Sequence, residues 1–354
     1  MWTLHLLVFR GRLHLLVFRG RLHLVLPAYL GYNNDISRII IQKAGIENMN
    51  KFERYRQTCS VLVCPVCGGG LGLTAAGRSL ACSAGHSFDI ARQGYVNLYR
   101  GKPVNEYSKE SFRQRQQILE KGMYAHILEE ICSFLQAVCG AGQPCDKQML
   151  DVQLRDGAGR PRLLLDAGCG EGYYTREIAA RLGGCGLDFY GVDLSRDSVQ
   201  LAASTANQAG GAASAIKWLV ADIGHLPVRD GSVDFLLDIF TSAIYEEFQR
   251  ILSPDGYLIK VIPGEGHVKE LREAASSQLH HKDYKERKGT AVFSEHFETI
   301  LNKTVSQTFA VTPEERDVFI HMTPLLFHVD KTKVDWSAVH SITVEGQLLI
   351  GRKK

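Results

Sequence analysis

The second half of the chain alternates short apolar runs with segments of helical spacing. Apolar runs at 162–166, 189–193 and 232–237 are separated by segments in which apolar residues recur at helical intervals. The stretch 248–258 then has the pattern of a helix, a turn and a further strand. Strands that alternate with helices are typical of a parallel sheet covered by helices. We therefore predict an α/β domain at 151–354.

Two helices are predicted ahead of this domain, in a basic connector at 101–150. One begins at Ser108 and the other covers 127–139, whereas 140–161 is rich in Gly, Pro and Asp and is expected to be a loop. Residues 92–126 contain seven Lys or Arg against three Glu, a local net charge of +4. This charge indicates either a solvated helix face or a phosphate-contacting surface, and both interpretations stay open.

The chain begins with a nine-residue repeat. Residues 4–12 recur unchanged at 13–21, and a third copy starts at 22–26. Arg-Gly-Arg interrupts each apolar run, so the segment is a poor secretory signal, and the period is too short for a stacked repeat fold. The repeat could form a small hairpin, but we interpret 1–58 as an extension outside the fold, with Met49 as a natural start.

Composition excludes several classes of protein. Of 354 residues, 45% are hydrophobic and 22% are charged, which is typical of a globular chain. The net charge of +3 excludes nucleic-acid binding by bulk charge alone. Nine cysteines, an odd number, favour free or metal-bound thiols in a reducing cytoplasm. No apolar run approaches the roughly 20 residues that span a bilayer, so no membrane association is expected.

Four residues have the spacing of a zinc site. Cys64 and Cys67 form a C-x2-C pair, and Cys82 and His86 follow as C-x3-H after fourteen intervening residues. Three thiolates and one imidazole complete a tetrahedral shell, the closed form typical of structural Zn2+. The alternative is four residues that meet by chance. We therefore predict a small zinc-binding module at 59–100, with RNA recognition as its function.

The residues after the second zinc pair allow two interpretations. Phe88, Tyr95 and Leu98 could pack against the zinc-binding turns, which would make them part of a small core. They could instead form an exposed aromatic surface, on which unpaired RNA bases stack.

A glycine-rich loop follows the first strand of the α/β domain. Asp166 precedes Gly168, Gly170 and Gly172, and Asp193 lies 21 residues after the last of these glycines. Glycines allow backbone N–H groups to approach a ligand, and an acid at this distance is placed to bind ribose. A dinucleotide-binding loop would have the spacing G-x-G-x-x-G instead. The alternative role for Asp193 is a helix N-cap.

This D-x-G-C-G-x-G loop resembles that of the S-adenosylmethionine (SAM)-dependent methyltransferases, as do the segments 220–223, 232–237 and 248–258. The resemblance implies a Rossmann-like class I fold. It implies that the loop holds the amino-acid end of the cofactor, that Asp193 binds the ribose, and that Asp222 and Ile223 frame the adenine. The implied loop residues are Asp166, Gly168, Gly170, Glu171 and Gly172.

The zinc motif and the methyltransferase motifs together resemble the 23S rRNA guanine-N1 methyltransferases of the RlmA type. Further matches lie at 94–98, 263–271 and 322–324, and the segment 107–115 is more similar to the Gram-positive branch. The resemblance implies 23S rRNA as partner and a hairpin-loop guanine as target. It also implies that Tyr124 and His267 contact SAM. Dimers are common in this family, so it leaves a homodimer as an option.

One segment departs from the family pattern. Residues 238–242, after the fourth strand, lack the usual proline and begin with an acid, Asp238. Guanine N1 carries a proton at neutral pH, so methylation needs a base, and Asp238 is the candidate by position. Its alternative role is to cap the next turn, and His267 could instead close the cofactor pocket. The N1 edge is hidden in a duplex, so the target must be unpaired or flipped out.

Two other functions stay open at this point. The chain could be a small-molecule methyltransferase with a purely structural zinc, or an RNA-binding relative that has lost turnover. RNA-dependent methyl incorporation separates the first hypothesis from both.

Overall fold

The computed structural model describes residues 2–9, 12–23, 51–56, 61–102, 108–140, 161–279 and 286–354. They fall into two compact units, 1–47 and 48–354. In the first unit, β1 (Trp2–Phe9) and β2 (Arg12–His23) form an antiparallel pair, the hairpin that the repeat also allowed. Met49 lies outside the described residues.

The second unit begins earlier than the predicted module boundary at residue 59. A 3-10 helix at Glu53–Tyr55 buries Arg54 and Tyr55 completely or nearly so. The Arg54 guanidinium donates to the Ile216 carbonyl at 2.9 Å, and the Tyr55 hydroxyl donates to the Trp218 carbonyl at 3.0 Å. Residues 51–56, which we expected within the extension, therefore belong to the folded unit.

Three short strands form a small antiparallel sheet, which we call the zinc ribbon together with its metal-binding turns (residues 61–90). The strands are β3 (Gly72–Leu73), β4 (Ser79–Ala81) and β5 (Ser87–Asp89). The next strand, β6 (Tyr95–Asn97), pairs instead with the large sheet of the α/β domain. The ribbon is thus continuous with that domain.

An eight-stranded sheet forms the centre of the α/β domain. Its other strands are β7 (Arg162–Ala167), β8 (Leu187–Asp193), β9 (Lys217–Val220), β10 (Val233–Ile239), β11 (Leu252–Pro263), β12 (Phe297–Ala310) and β13 (Ser341–Lys353). The order is β12-β13-β11-β10-β7-β8-β9-β6, in which β13 runs antiparallel to both neighbours. The strands β8 and β9 lie on one side of β7 and the next strand, β10, lies on the other, so the strand order reverses between β7 and β10. Ligands bind at such a switch point, at the carboxyl ends of the strands.

Helices cover both faces of the sheet, as the alternating pattern predicted. They are α1 (Lys109–Glu120), α2 (Ala125–Cys139), α3 (Tyr173–Leu182), α4 (Arg196–Ala209), α5 (Tyr245–Ile251), α6 (Lys269–Ala274), α7 (Glu286–His296) and α8 (Pro313–Met322). None of the helices in the described segments is long and apolar enough to span a bilayer.

The two predicted connector helices are part of the layered domain. The Ser108 side chain accepts a hydrogen bond from Ser111 N and so caps α1, whose apolar stripe is buried. Helix α1 packs on α4 and α8, and α2 packs on α3 and β12. The apolar residues of the zinc ribbon join those of one sheet face in a single cluster.

Candidate functional site

The four predicted zinc ligands converge. The donor atoms of Cys64, Cys67, Cys82 and His86 all lie within 4.8 Å of one another. The Sγ atoms of Cys67 and Cys82 are 3.6 Å apart, and the Sγ of Cys82 is 3.4 Å from Nδ1 of His86. A donor set of three sulfurs and one nitrogen in this arrangement fits Zn2+ in its closed, structural form.

Tight turns aim these ligands at one point. Gly68 N donates to the Cys64 carbonyl at 2.9 Å, and Gly85 N donates to the Cys82 carbonyl at 3.0 Å. Gly68 and Gly85 have φ angles of 71° and 84°, a left-handed conformation that other residues adopt at a cost. The spacing of the motif and its glycines therefore act together.

The zinc ribbon docks on the segment between β9 and β10 through backbone hydrogen bonds. Val63 N donates to the Pro227 carbonyl and Arg229 N donates to the Val61 carbonyl, both at 2.9 Å. Leu98 N donates to the Val220 carbonyl at 2.9 Å, beyond the end of β6. The strand β6, which follows the ribbon, therefore ends beside the carboxyl end of β9, where the cofactor site is expected.

The aromatic residues after the zinc ligands are buried. Phe88, Tyr95 and Leu98 are 8%, 3% and 2% exposed. The Tyr95 hydroxyl accepts a hydrogen bond from Nε of Arg196 at 2.9 Å. Phe88 and Leu98 share an apolar cluster with Cys64 and Cys82, so the packing interpretation is correct for these two residues, whereas Tyr95 packs in the other apolar cluster of the domain. The base-stacking interpretation is wrong for all three.

The glycine-rich loop has the geometry of a ligand cradle. Gly168, Gly170 and Gly172 have φ angles of 77°, 55° and 76°. A Cβ at Gly168 would lie 2.8 Å from a methyl carbon of Thr241, and one at Gly172 would collide with Trp218. Protein side chains fill the space that a Cβ would need, so only glycine fits these positions.

Two buried acids flank the start of α3. Asp166 is 2% exposed and accepts a hydrogen bond from the Thr175 hydroxyl at 2.5 Å, and burial raises its pKa to about 7. Glu171 is 1% exposed and accepts from Nε of Arg115 at 2.8 Å. The structure thus places both predicted loop acids against the glycines.

The predicted ribose and adenine residues lie at neighbouring strand ends. Asp193 ends β8, and its carboxylate accepts hydrogen bonds from Gly170 N at 2.9 Å and from Ser195 N at 2.8 Å. Asp222 and the half-buried Ile223 follow β9, and Asp222 accepts from Gly224 N at 2.9 Å. Both acids therefore face the carboxyl edge of the sheet, where their expected roles require them.

An aromatic cluster closes the site on the side of β10 and β11. The ring centroids of Tyr124 and Phe240 are 5.8 Å apart, those of Phe240 and His267 are 5.4 Å apart, and those of Tyr124 and Phe319 are 6.3 Å apart. Burial raises the pKa of Tyr124, so its hydroxyl stays protonated. Phe240 and Phe319 were not predicted, because a single aromatic residue outside a recognisable motif gives no distinguishing signal.

His267 is held as a neutral imidazole. Its Nδ1 accepts a hydrogen bond from Glu345 N at 3.2 Å, which assigns the ring proton to Nε2. Burial lowers its pKa to about 4. His267 is therefore a hydrogen-bond donor through Nε2 rather than a base near neutral pH.

Asp238 forms a buried ion pair that the sequence did not reveal. The side chain has no exposed surface, and its Oδ2 accepts from Nζ of Lys260 at 2.5 Å. Its Oδ1 has no hydrogen-bond partner among the described residues. Burial raises the pKa of Asp238 to about 6, against the opposing effect of Lys260. The capping alternative is wrong because Asp238 lies within β10.

Lys260 also fixes the loop after β10. Its Nζ donates to the Thr241 carbonyl at 3.1 Å. Phe240, which lies between Asp238 and Thr241 in the chain, has a φ of 56°. A left-handed conformation at a bulky residue is strained and is found mainly at functional sites. A lone lysine in the apolar stretch 257–262 was the available signal for this role.

Fold and site together define a class I SAM-dependent methyltransferase with a structural zinc ribbon. Residues 164–256 match the family model described as a methyltransferase domain. Residues 62–109 match the model of the RlmA N-terminal zinc ribbon.

Curated relatives narrow this class. A candidate 23S rRNA (guanine-N(1)-)-methyltransferase of Micromonospora griseorubida is 33% identical over 77% of this chain and 89% of its own. The 23S rRNA (guanine(748)-N(1))-methyltransferase of Streptomyces fradiae is 28% identical over 80% and 93%. The candidate enzyme YxjB of Bacillus subtilis is 28% identical over 83% and 98%. The chain belongs to the 23S rRNA (guanine-N1)-methyltransferase family.

Among solved structures, a SAM-dependent methyltransferase from Aquifex aeolicus is similar to this chain with a TM-score of 0.33. It is 16% identical, over 55% of this chain and 84% of its own.

Proposed function

We propose that this protein methylates N1 of a guanine in a hairpin loop of 23S rRNA. The observation that carries the proposal is the connection of the zinc ribbon to the cofactor domain through β6, which pairs with β9 and whose next residue, Leu98, donates to the Val220 carbonyl at the expected cofactor edge. This placement suits a large substrate that is held by one part of the chain and modified by another. The names of the relatives support the same substrate.

The residues at the carboxyl edge of the sheet fit SAM. When bound, SAM supplies an activated methyl group. We assign the ribose to Asp193, the adenine to Asp222 and Ile223, and the closure of the pocket to Tyr124 and His267. The amino-acid end belongs to the loop residues Asp166, Gly168, Gly170, Glu171 and Gly172. The left-handed backbone of the three loop glycines and the hydrogen bond from Gly170 N to Asp193 support this assignment.

Asp238 is the proposed base. A pKa near 6 makes it more basic than an ordinary carboxylate, and its unpartnered Oδ1 can accept a proton. Because Asp238 has no exposed surface, guanine can reach it only if the protein rearranges around this side chain. His267 is a poorer base, since Nδ1 is already hydrogen-bonded and its pKa is lower.

Exposed basic residues near the zinc ribbon would contact the RNA backbone. Of the seven basic residues predicted for this role, Arg113, Arg115 and Lys121 form ion pairs with acids of the protein. The exposed members without an ion pair in the described residues are Arg92, Arg100, Lys102 and Lys109. We assign phosphate contacts to these four. A cytoplasmic location follows from an rRNA substrate, and a homodimer stays a prediction.

The test is methyl incorporation into 23S rRNA that lacks modifications. Purified protein is incubated with labelled SAM, and the methylated base is mapped. Label at N1 of a loop guanine, lost in Asp238→Asn, supports the proposal. Replacing Arg100 and Lys102 by Ala should raise KM for rRNA and reduce its salt dependence, with SAM affinity unchanged. Intact SAM binding without rRNA label contradicts the substrate and favours a small-molecule or non-catalytic role.

A further inference from the structure

One residue of β13 encloses the loop that carries His267. Gly264 N donates to the Glu345 carbonyl at 3.0 Å, and Gly266 N donates to Oε1 of Glu345 at 2.7 Å. The backbone N–H of Glu345 in turn donates to Nδ1 of His267 at 3.2 Å. Glu345 therefore binds this loop through its backbone N–H, its backbone carbonyl and its carboxylate, and one of these contacts is made to the imidazole itself.

Two glycines allow the carboxylate to come this close. A Cβ at Gly264 would lie 2.5 Å from Oε1 of Glu345, and a Cβ at Gly266 would lie 2.6 Å from Oε2. A larger residue at either position would push the carboxylate away, because it is the flexible end of its side chain. The half-buried Glu345 side chain thus occupies the space that the glycines leave beside the loop backbone.

The loop is strained at the residue after His267. Val268 is 2% exposed and has a φ of 47°, a left-handed conformation that a β-branched residue rarely adopts. Its N–H donates to the Thr343 carbonyl at 2.8 Å, and Glu270 accepts from the backbone N–H and the hydroxyl of Thr343 at 2.9 and 2.6 Å. Such strain persists only where surrounding contacts impose it. The chain is therefore bound to β13 on both sides of His267.

We propose that Glu345 is the positioning residue for His267 and holds its ring with the Nε2–H directed into the cofactor pocket. The proposal rests on the assignment of His267 to the closure of that pocket. A backbone N–H can donate only to a ring nitrogen that carries no proton, so Glu345 selects the tautomer protonated at Nε2. Phe240 stacks on the ring at 5.4 Å between centroids and 26° between planes. Nε2 is thus the ring nitrogen that can donate to a ligand.

The first experiment locates the ring proton by nitrogen NMR of the full chain with 15N-labelled histidine. The signal that disappears in His267→Leu is assigned to His267. The wild type should carry the proton at Nε2. Glu345→Ala frees Gly266, so the loop should move away from the N–H of residue 345 and both tautomers should be populated. Glu345→Gln keeps an oxygen acceptor for Gly266 and should match the wild type, as should the matched control Glu265→Gln, at an exposed acid of the same loop.

The second experiment measures the consequence for ligand binding. Calorimetry gives the affinity for S-adenosylhomocysteine, the demethylated cofactor, in each variant. Glu345→Ala should weaken binding roughly 3- to 10-fold, the usual net value of one hydrogen bond. In the background of His267→Leu, the same substitution should have no further effect, because a positioning residue acts only through the residue that it positions. A general structural defect would weaken binding equally in both backgrounds.

A further variant displaces the Glu345 carboxylate without removing it. The Cβ of Gly266→Ala needs the space of Oε2, so this variant should show the mixed tautomers and weaker binding of Glu345→Ala, and it serves as the test if Glu345→Ala fails to fold. A proton that stays at Nε2 in both variants, or equal weakening with and without His267, overturns the proposal. Absence of rRNA methylation by a wild type that passes both tests would refute the proposed substrate and leave the role of Glu345 standing.

Discussion

The zinc ribbon and the α/β domain both hold charged or reactive groups in a fixed position, but they are stabilised in different ways. The ribbon has strands of two or three residues, and three thiol sulfurs and an imidazole nitrogen gather at its tip. The α/β domain has strands of up to 14 residues covered by helices, and it buries Asp238 against Lys260. A small sheet needs a metal to close, whereas a large core can tolerate the desolvation of an ion pair.

The two regions nevertheless share one apolar core. Apolar residues of the ribbon such as Leu62 and Leu80 pack in the same cluster as Leu236 and Leu258 of the central sheet. The ribbon is therefore stabilised both by its metal ligands and by the burial of its apolar residues against the central sheet. The predictions below test the metal of the ribbon, the buried ion pair of the α/β domain, and the hydrogen bonds of the segment ahead of the ribbon.

Loss of zinc should have the largest effect, because structural zinc contributes roughly 10–16 kcal/mol of apparent binding free energy in small modules. Cys67→Ser should abolish zinc binding and raise hydrogen exchange in β3 to β5, while β7 to β10 keep their protection. Zinc content and exchange mass spectrometry check this. Cys185→Ser, at a cysteine away from the cluster, is the control. Equal loss of protection in both sheets would show that ribbon and domain unfold as one unit.

Replacement of Lys260 should have the next largest effect on stability. Lys260→Met leaves Asp238 buried and unpaired, which should cost about 3–5 kcal/mol of unfolding free energy. Adding Asp238→Leu should recover most of this loss. Denaturant unfolding measures both. Lys303→Met, in an ion pair with Glu130 whose side chains are 47% and 34% exposed, should change stability by less than about 1 kcal/mol. Similar costs at Lys260 and Lys303 would contradict the buried-pair interpretation.

The rate of methyl transfer should depend on pH through the titration of Asp238. A base acts as the carboxylate, so with a pKa of about 6 the rate should fall about tenfold per pH unit below that value and level off above it. The titratable groups around Asp238 are Lys260, Asp166 and Tyr245. The measurement is kcat against pH with saturating substrates. A limb near 4, the ordinary range of a carboxylate, would remove Asp238 from the reaction.

The smallest expected effect lies at the junction that Tyr55, in the 3-10 helix ahead of the ribbon, makes with Gly94 and with β9. The Tyr55 hydroxyl shares its single proton between the carbonyls of Gly94 and Trp218, both at 3.0 Å. Tyr55→Phe should cost about 1 kcal/mol of unfolding free energy, the usual net value of a hydrogen bond. Thermal unfolding of this variant is compared with Tyr99→Phe, at a half-buried tyrosine nearby. A loss above about 3 kcal/mol would mean that the junction carries more of the fold than its hydrogen bonds explain.

The sequence predicted those parts of the site whose chemistry depends on short spacing. The zinc ligands, the glycine-rich loop and the strand-end acid Asp193 are each recognisable within a few residues, because a turn or a strand end fixes their geometry locally. The burial of Phe88 and Tyr95 was left open, because a short motif does not show what lies above it.

The tertiary structure decided the remainder. It places Arg115 on Glu171, 56 positions away, and Lys260 on Asp238, 22 positions away, and it inserts β6 beside β9. Such pairs leave no periodic trace, because they depend on which elements the sheet order brings together. The zinc-binding turns, the glycine-rich loop and the acid at the end of β8 were thus determined by short stretches of the sequence itself. The partners of its buried charges were set by long-range packing, where burial makes each missing partner costly.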